Sequence, residues 1–274
     1  MIRRACAGLC LSVSALGLAG GAYAQAVPVT PSDAVTREPA ATRDTTPAAS
    51  KGITARIPSF KELFTPLAGD FRRLSSRQNL TLGVVGLGGA LAAHPIDASF
   101  ARAEWANNDV NGFFKPGQQA GSFVMQTSGA LATYVVGRAL NNARVATIGA
   151  ELVRAQIVSQ TATQLVKLGA HRTRPDGTTM SFPSGHTASA FATASVLQQE
   201  LGWKAGVPAY AVAAWIGASR MESKRHYFSD ILAGATIGIM AGRSVTIGRG
   251  AAKFEIAPIA APGGIGVNFV RIGK

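Results

Sequence analysis

The sequence predicts an all-α protein, a helical bundle of about six core helices with a small β-hairpin appended at the C-terminus. Six helix-length segments rich in Ala and Gly follow one another between residues 80 and 245. They are apolar on most faces, as helices inside a bundle are. β-Prone runs gather only after Arg243, separated by Gly and Pro. With 274 residues and 47% hydrophobic content the chain can bury one substantial core but is short for two, so one folded domain is expected.

The elements follow in chain order. Arg3 and Arg4 precede an uncharged run from Ala5 to Gly21, and Ala22-Tyr23-Ala24 has the small-x-small pattern of a signal-peptidase site. Residues 1–24 are therefore expected to be a signal peptide. Cys6 and Cys10 both lie inside it, so the mature chain should carry no cysteine, disulfide or thiolate chemistry. Export without disulfides suits a bacterial periplasm or envelope, with integral membrane placement as the rival. Residues 25–59, mostly Ala, Pro, Thr and scattered charge, have no apolar period and read as a disordered tether.

Residues 60–243 form the predicted helical domain. It opens with an amphipathic helix over Phe60 to Leu80, broken near Pro66. The core segments are Leu80–Ala93, Phe123–Leu140, Val145–Leu168, Thr187–Leu201, Val207–Ala218 and Ile231–Val245. A membrane span needs about 20 apolar residues, and Arg138, Glu151, Arg154 and Gln156 interrupt the middle helices. A bundle packed on itself, recoverable without detergent and touching a membrane only peripherally, is expected over an integral one. Residues 244–274, with runs at 245–247, 253–256 and 265–270, should form the short β-rich tail.

A formal net charge of +13 points to an anionic partner. Nucleic acid is excluded, since there is no zinc-finger spacing, no Lys/Arg-rich run and no aromatic RNA-binding motif. A phosphorylated substrate or an acidic membrane face remains.

Three short motifs narrow the choice. Lys167 and Arg174-Pro175 stand at the exit of one helix, with Pro175 holding Arg174 extended. Phe182-Pro183-Ser184-Gly185-His186 directly precedes the next. There Ser184 can act as N-cap and Gly185 lets a ligand approach backbone N–H groups at a helix start, a setting suited to an anion. In Ser219-Arg220 to Asp230, His226 and Asp230 are four apart. On a helix they share a face, so Asp230 can accept the Nδ1–H of His226 and leave Nε2 free. Each motif alone reads as an ordinary cap, turn or surface pair.

Together they resemble the type-2 phosphatidic acid phosphatase and vanadium haloperoxidase superfamily, whose pattern is Lys-x6-Arg-Pro, Pro-Ser-Gly-His and Ser-Arg-x5-His-x3-Asp. Every position is filled, by Lys167, Arg174, Pro175, Pro183, Ser184, Gly185, His186, Ser219, Arg220, His226 and Asp230. The resemblance covers roughly Leu80 to Arg243, and only seven residues, Asp176 to Phe182, join the first two motifs. It implies a phosphatase for monoesters or pyrophosphates of lipids or small molecules. His226 would be the nucleophile that forms a phosphohistidine, Asp230 its orienting carboxylate, and His186 the general acid that later activates water. Lys167, Arg174, Arg220, Ser184 and the Gly185 N–H would hold the phosphate.

No metal or cofactor is expected: the four histidines form no HExxH and carboxylates do not cluster. Vanadate should act as an inhibitor or, in the alternative haloperoxidase reading, as cofactor. A second alternative is a non-catalytic envelope protein that binds phosphate-bearing lipids. The substrate and oligomeric state stay open at this point, and His171 is taken as incidental.

Overall fold

The structure, a computed structural model, describes residues 56–102 and 108–246, with side chains from 111 onward in the second segment, and the backbone of 253–261 and 264–272. The expected signal peptide and nearly all of the expected tether lie outside the described residues.

The amphipathic opening divides as its proline dictates. Phe60–Leu63 is a 3-10 turn started by a capping box, in which the Ser59 N–H donates to Glu62 at 2.5 Å. Pro66 then caps helix α1 (Leu67–Leu74), and Ser76 caps α2 (Arg77–Ala93), its hydroxyl accepting the Asn79 N–H. Helix α1 is locked down by Asp70, which is fully buried and pairs with Arg73 and with Arg154 Nε at 2.9 Å. Arg154 lies within α6 (Ala143–Ala170) and also donates to the Val245 carbonyl at 3.0 Å.

The buried Asp70–Arg154 pair changes the meaning of the charges in the middle helices. Arg154, Glu151 and Gln156 are all buried, with Gln156 bonded to Ser189 O and Thr193 Oγ1 across the α6–α7 contact. Arg154 is paired with Asp70 and the Val245 carbonyl and Gln156 with α7, inside the protein, as buried polar groups must be. Their presence therefore says nothing about what the outside of the bundle meets.

Around α6 stand α5 (Phe123–Ala139), α7 (Gly185–Leu201), α8 (Trp203–Glu222) and α9 (Phe228–Thr246). Short α3 (Asp97–Arg102) and α4 (Asn108–Ala120), which the sequence patterns did not suggest, cover one end. Small residues permit the most extensive contact, α7 with α9. A Cβ on Gly234 would lie 2.5 Å from Ser184 O, and one on Gly238 2.3 Å from Ala188 O. A Cβ on Gly242 would reach 2.5 Å from the Ser195 Cβ. Partners that advance together along both helices make α7 and α9 parallel neighbours at backbone contact. Gln156 and Gln160 meet α7 in the opposite sense, and Gly206 meets Gln198 at the far end of α7, so α6 and α8 run antiparallel to it.

Large apolar side chains line the outer faces of α2, α5 and α8. Val84 is 75% exposed, Leu91 74%, Val124 73%, Leu140 71% and Trp203 70%. Such extended apolar surface exceeds the scattered exposure normal for a water-soluble monomer. Among the described residues the helical stretch Arg77–Arg102 is long and apolar enough to cross a membrane. At the C-terminus the backbones of β1 (Lys253–Ala261) and β2 (Gly264–Ile272) pair antiparallel, Lys253 opposite Ile272. Their side chains and any packing on the bundle lie outside the described residues.

Candidate active site

The topology brings the three motifs together. Parallel α7 and α9 begin at the end of the bundle where antiparallel α6 and α8 finish. Lys167 thus sits in the last turn of α6, Ser184 and His186 at the start of α7, Arg220 at the end of α8 and Asp230 in the first turn of α9.

His226 precedes α9 rather than lying on it, so its link to Asp230 differs from the expected helical face. Tyr227 is the N-cap, its carbonyl accepting the Ile231 N–H, and Asp230 reaches back to the Tyr227 N–H at 2.8 Å. The capping geometry turns Asp230 Oδ2 toward His226 Nδ1, 3.6 Å away. That separation is an ion-pair distance, longer than a formed hydrogen bond. Burial holds the His226 imidazole below its ordinary pKa, against the opposing pull of Asp230. The neutral imidazole is therefore favoured over the imidazolium.

Asp230 is fully buried. Burial alone would raise its pKa, but His226, Ser181, Tyr227 and Arg172 together hold the carboxyl below the usual range. Ser181 Oγ donates to Oδ2 at 2.5 Å, and Arg172 Nη1 donates to Oδ1 at 2.8 Å. The sequence patterns missed both residues. The short Asp176–Phe182 connection is what delivers Ser181, and it also accepts the Lys167 ammonium on the carbonyls of Met180, at 2.5 Å, and Ser181, at 3.4 Å. Asp176 anchors the loop to the third motif through Arg225 at 3.1 Å.

Ser184 fulfils its expected cap, accepting the Thr187 N–H and hydroxyl while its own N–H donates to the Asp230 carbonyl. Gly185 needs no special backbone, and a Cβ there would meet only Gln160 and Thr163 at 3.5–3.7 Å. His186 is half-buried and bonded to the Gln118 backbone of α4. Burial, then the positive charge of Arg220, lowers its pKa to about 4.

Desolvation lowers Lys167 to about 8 and Arg220 to about 10, with neighbouring cations adding to both shifts. Arg174 Nε and Arg220 Nε are buried and make no hydrogen bond among the described residues. Crowded, desolvated cations with spare donors form a place prepared for an anion. Among the described residues no three His, Cys, Asp or Glu side chains gather as a metal site would.

The family model of the PAP2 superfamily matches residues 149–252, the segment that holds all three motifs. Over that segment the chain is similar to the PAP2 superfamily. Within it, 75 residues are 48% identical to the lipid A 1-phosphatase of Porphyromonas gingivalis. That match covers 26% of this chain and 17% of the relative's length.

Two solved structures resemble the chain more distantly. A transmembrane PAP2-type phosphatidylglycerolphosphate phosphatase from Bacillus subtilis is 20% identical with a TM-score of 0.46, covering 61% of this chain and 94% of its own. LpxE of Aquifex aeolicus is 22% identical with a TM-score of 0.43, covering 51% and 87%.

A cavity of about 310 Å³ opens beside the candidate site, between the end of α2 and the Phe182 turn. Its lining includes Leu91, His94, Arg172, Phe182 and Ser229.

Proposed function

We propose that the chain is a phosphatase for phosphate monoesters or pyrophosphates, with membrane lipid phosphates as its preferred class, working through a phosphohistidine on His226. The observation that carries this reading is the meeting, at one end of the bundle, of an Asp230-supported imidazole, a second imidazole and three cations with spare donors.

The cations and the N–H groups at the start of α7 hold the phosphoryl oxygens, where charge accumulates in the transition state. His226 Nε2 attacks phosphorus as the ester P–O bond breaks, and His186 gives its proton to the departing oxygen. Water then attacks phosphorus and returns its proton to His186 as the N–P bond breaks, releasing phosphate. Lys167, Arg174 and Arg220 do the work a metal does in other phosphatases. The exposed apolar faces of α2, α5 and α8 favour lipid contact, which keeps the site beside its substrate and accounts for surface that self-packing leaves uncovered.

Phosphate release should be measured on detergent-purified protein with lipid phosphates and soluble monoesters, before and after chelation. Activity that survives chelation and is abolished in His226→Ala, with an acid-labile phosphohistidine trapped on the parent, is the expected result. Loss of activity on chelation with retention in His226→Ala overturns the mechanism. Activity confined to soluble monoesters overturns the lipid preference. Halide oxidation with added vanadate and peroxide is the control for the haloperoxidase alternative.

A further inference from the structure

Behind the nucleophile lies a charged relay that the three motifs do not contain. Arg172 uses Nη1 for Asp230 Oδ1 and for Ser229 Oγ at 2.7 Å, and Nη2 for Asp97 Oδ2 at 2.8 Å. Asp97 in turn accepts the Ser229 N–H at 2.9 Å and the Ser229 hydroxyl at 2.5 Å. The guanidinium lies 4.1 Å from the centre of the Tyr227 ring, the N-cap between His226 and Asp230. Asp97 and Asp230 are almost wholly buried, and Arg172 is mostly so.

A carboxylate accepts through two oxygens, and an unrestrained one can present either by rotating. Here Oδ1 is taken by Arg172, and rotation would part a largely buried guanidinium from its carboxylate. Oδ2 is thereby left to Ser181, Tyr227 and His226 alone. Arg172 is itself unable to turn, because its second arm is tied to Asp97 and its face to Tyr227. A planar fork fixed at two points suits this task, and a lysine could satisfy only one of the two carboxylates.

From this geometry we infer that Arg172, anchored by Asp97, is a positioning residue that fixes the Asp230 carboxylate and through it the tautomer and aim of His226. It touches neither substrate nor the reacting atoms. The inference rests on the phosphatase reading for its kinetic consequence, but not for its structural one.

Arg172→Gln, Arg172→Lys and Asp97→Asn should be compared with the parent in detergent, measuring kcat, KM and competitive inhibition by inorganic phosphate. Nitrogen NMR of isotope-labelled histidine should report the His226 tautomer in the same proteins. Expected are a kcat loss on the order of 10–100-fold in Arg172→Gln, as for loss of an orienting group, and a smaller loss in Asp97→Asn. Arg172→Lys should fall between Arg172→Gln and the parent. The double variant should be no worse than Arg172→Gln, since Asp97 acts through Arg172. KM and phosphate inhibition should stay within about twofold, while the His226 signal changes from one tautomer to a mixture.

A kcat within twofold of the parent in Arg172→Gln, additive losses, or phosphate inhibition that weakens in step with kcat would each overturn the inference. An unchanged His226 tautomer would do so even in a protein with no turnover. Absence of turnover in the parent overturns the phosphatase reading instead.

Discussion

His186 must carry a proton to serve a leaving oxygen, yet the site without a ligand holds its pKa at about 4. Relative to the ordinary value of 6.5, that shift corresponds to about 3 kcal/mol against protonation, at roughly 1.4 kcal/mol per unit. At pH 7 only about one molecule in a thousand would be ready as an acid. A negative charge about 4 Å away, at an effective dielectric constant near 20, contributes about 4 kcal/mol in the opposite direction. One bound anion therefore cancels the penalty and arms the acid. Sulfate is the informative probe, because it is tetrahedral, doubly charged and does not titrate in this range. Calorimetry near pH 5.5 in buffers of different ionisation heat should show uptake of close to one proton per sulfate bound, and little uptake in His186→Gln. The sign for stability follows from linkage. As pH falls from 6.5 toward 4 the unfolded chain protonates first, so the ligand-free protein loses up to about 3 kcal/mol over that window and sulfate offsets the loss. Depression of His226 acts in the same direction, so His186→Gln should remove only part of the trend. Sulfate binding with no proton uptake, or undiminished uptake in His186→Gln, would refute the reasoning.

Gly238→Ala should lower thermal stability by about 1–3 kcal/mol, because its new methyl meets the Ala188 carbonyl at 2.3 Å and neither backbone can yield. Gly185→Ala meets nothing closer than 3.5 Å and should melt like the parent while losing kcat/KM, and a matching Tm loss in both variants would refute this contrast. His171 ends α6 with φ at 42°, the left-handed position that favours glycine. His171→Gly should raise stability by about 1 kcal/mol and leave kcat unchanged, and a fall in kcat would mean that this histidine is not incidental.

Much of the site was legible because local chemistry announces it. Ser184 caps a helix, Arg174 precedes a proline, and His226 and Asp230 are close in sequence. What escaped notice is held by distance along the chain. Arg172 meets Asp97 across 75 residues and Asp230 across 58, and Ser181 meets Asp230 across 49. No periodicity or spacing carries such pairs. Helix α4 escaped because Gly112, Pro116 and Gly117 obscure its pattern, although its Gln118 backbone supports His186. The six core helices were visible as apolar segments. Their surroundings were not, because Arg154 read as an interruption of a membrane-length apolar run when Asp70, 84 positions earlier in the chain, had paired with it in the core.

The bundle's polarity explains why the site belongs at this end. Helix C-termini carry partial negative charge and N-termini partial positive charge. Lys167 and Arg220 occupy the last turns of α6 and α8, where the backbone favours a cation despite the desolvation that lowers both. Asp230 occupies the first turn of α9, where the backbone favours an anion, and α7 begins in parallel beside it. Because Ser184 spends its lone pairs on Thr187, the α7 cap is filled without adding negative charge. A phosphoryl group bound there would complete at α7 the charge complement that Asp230 supplies at α9. The glycines that set α7 against α9 therefore do more than fill the core. They bring two positive helix ends side by side, one occupied by the Asp230 carboxylate that faces His226 and the other open to an anion.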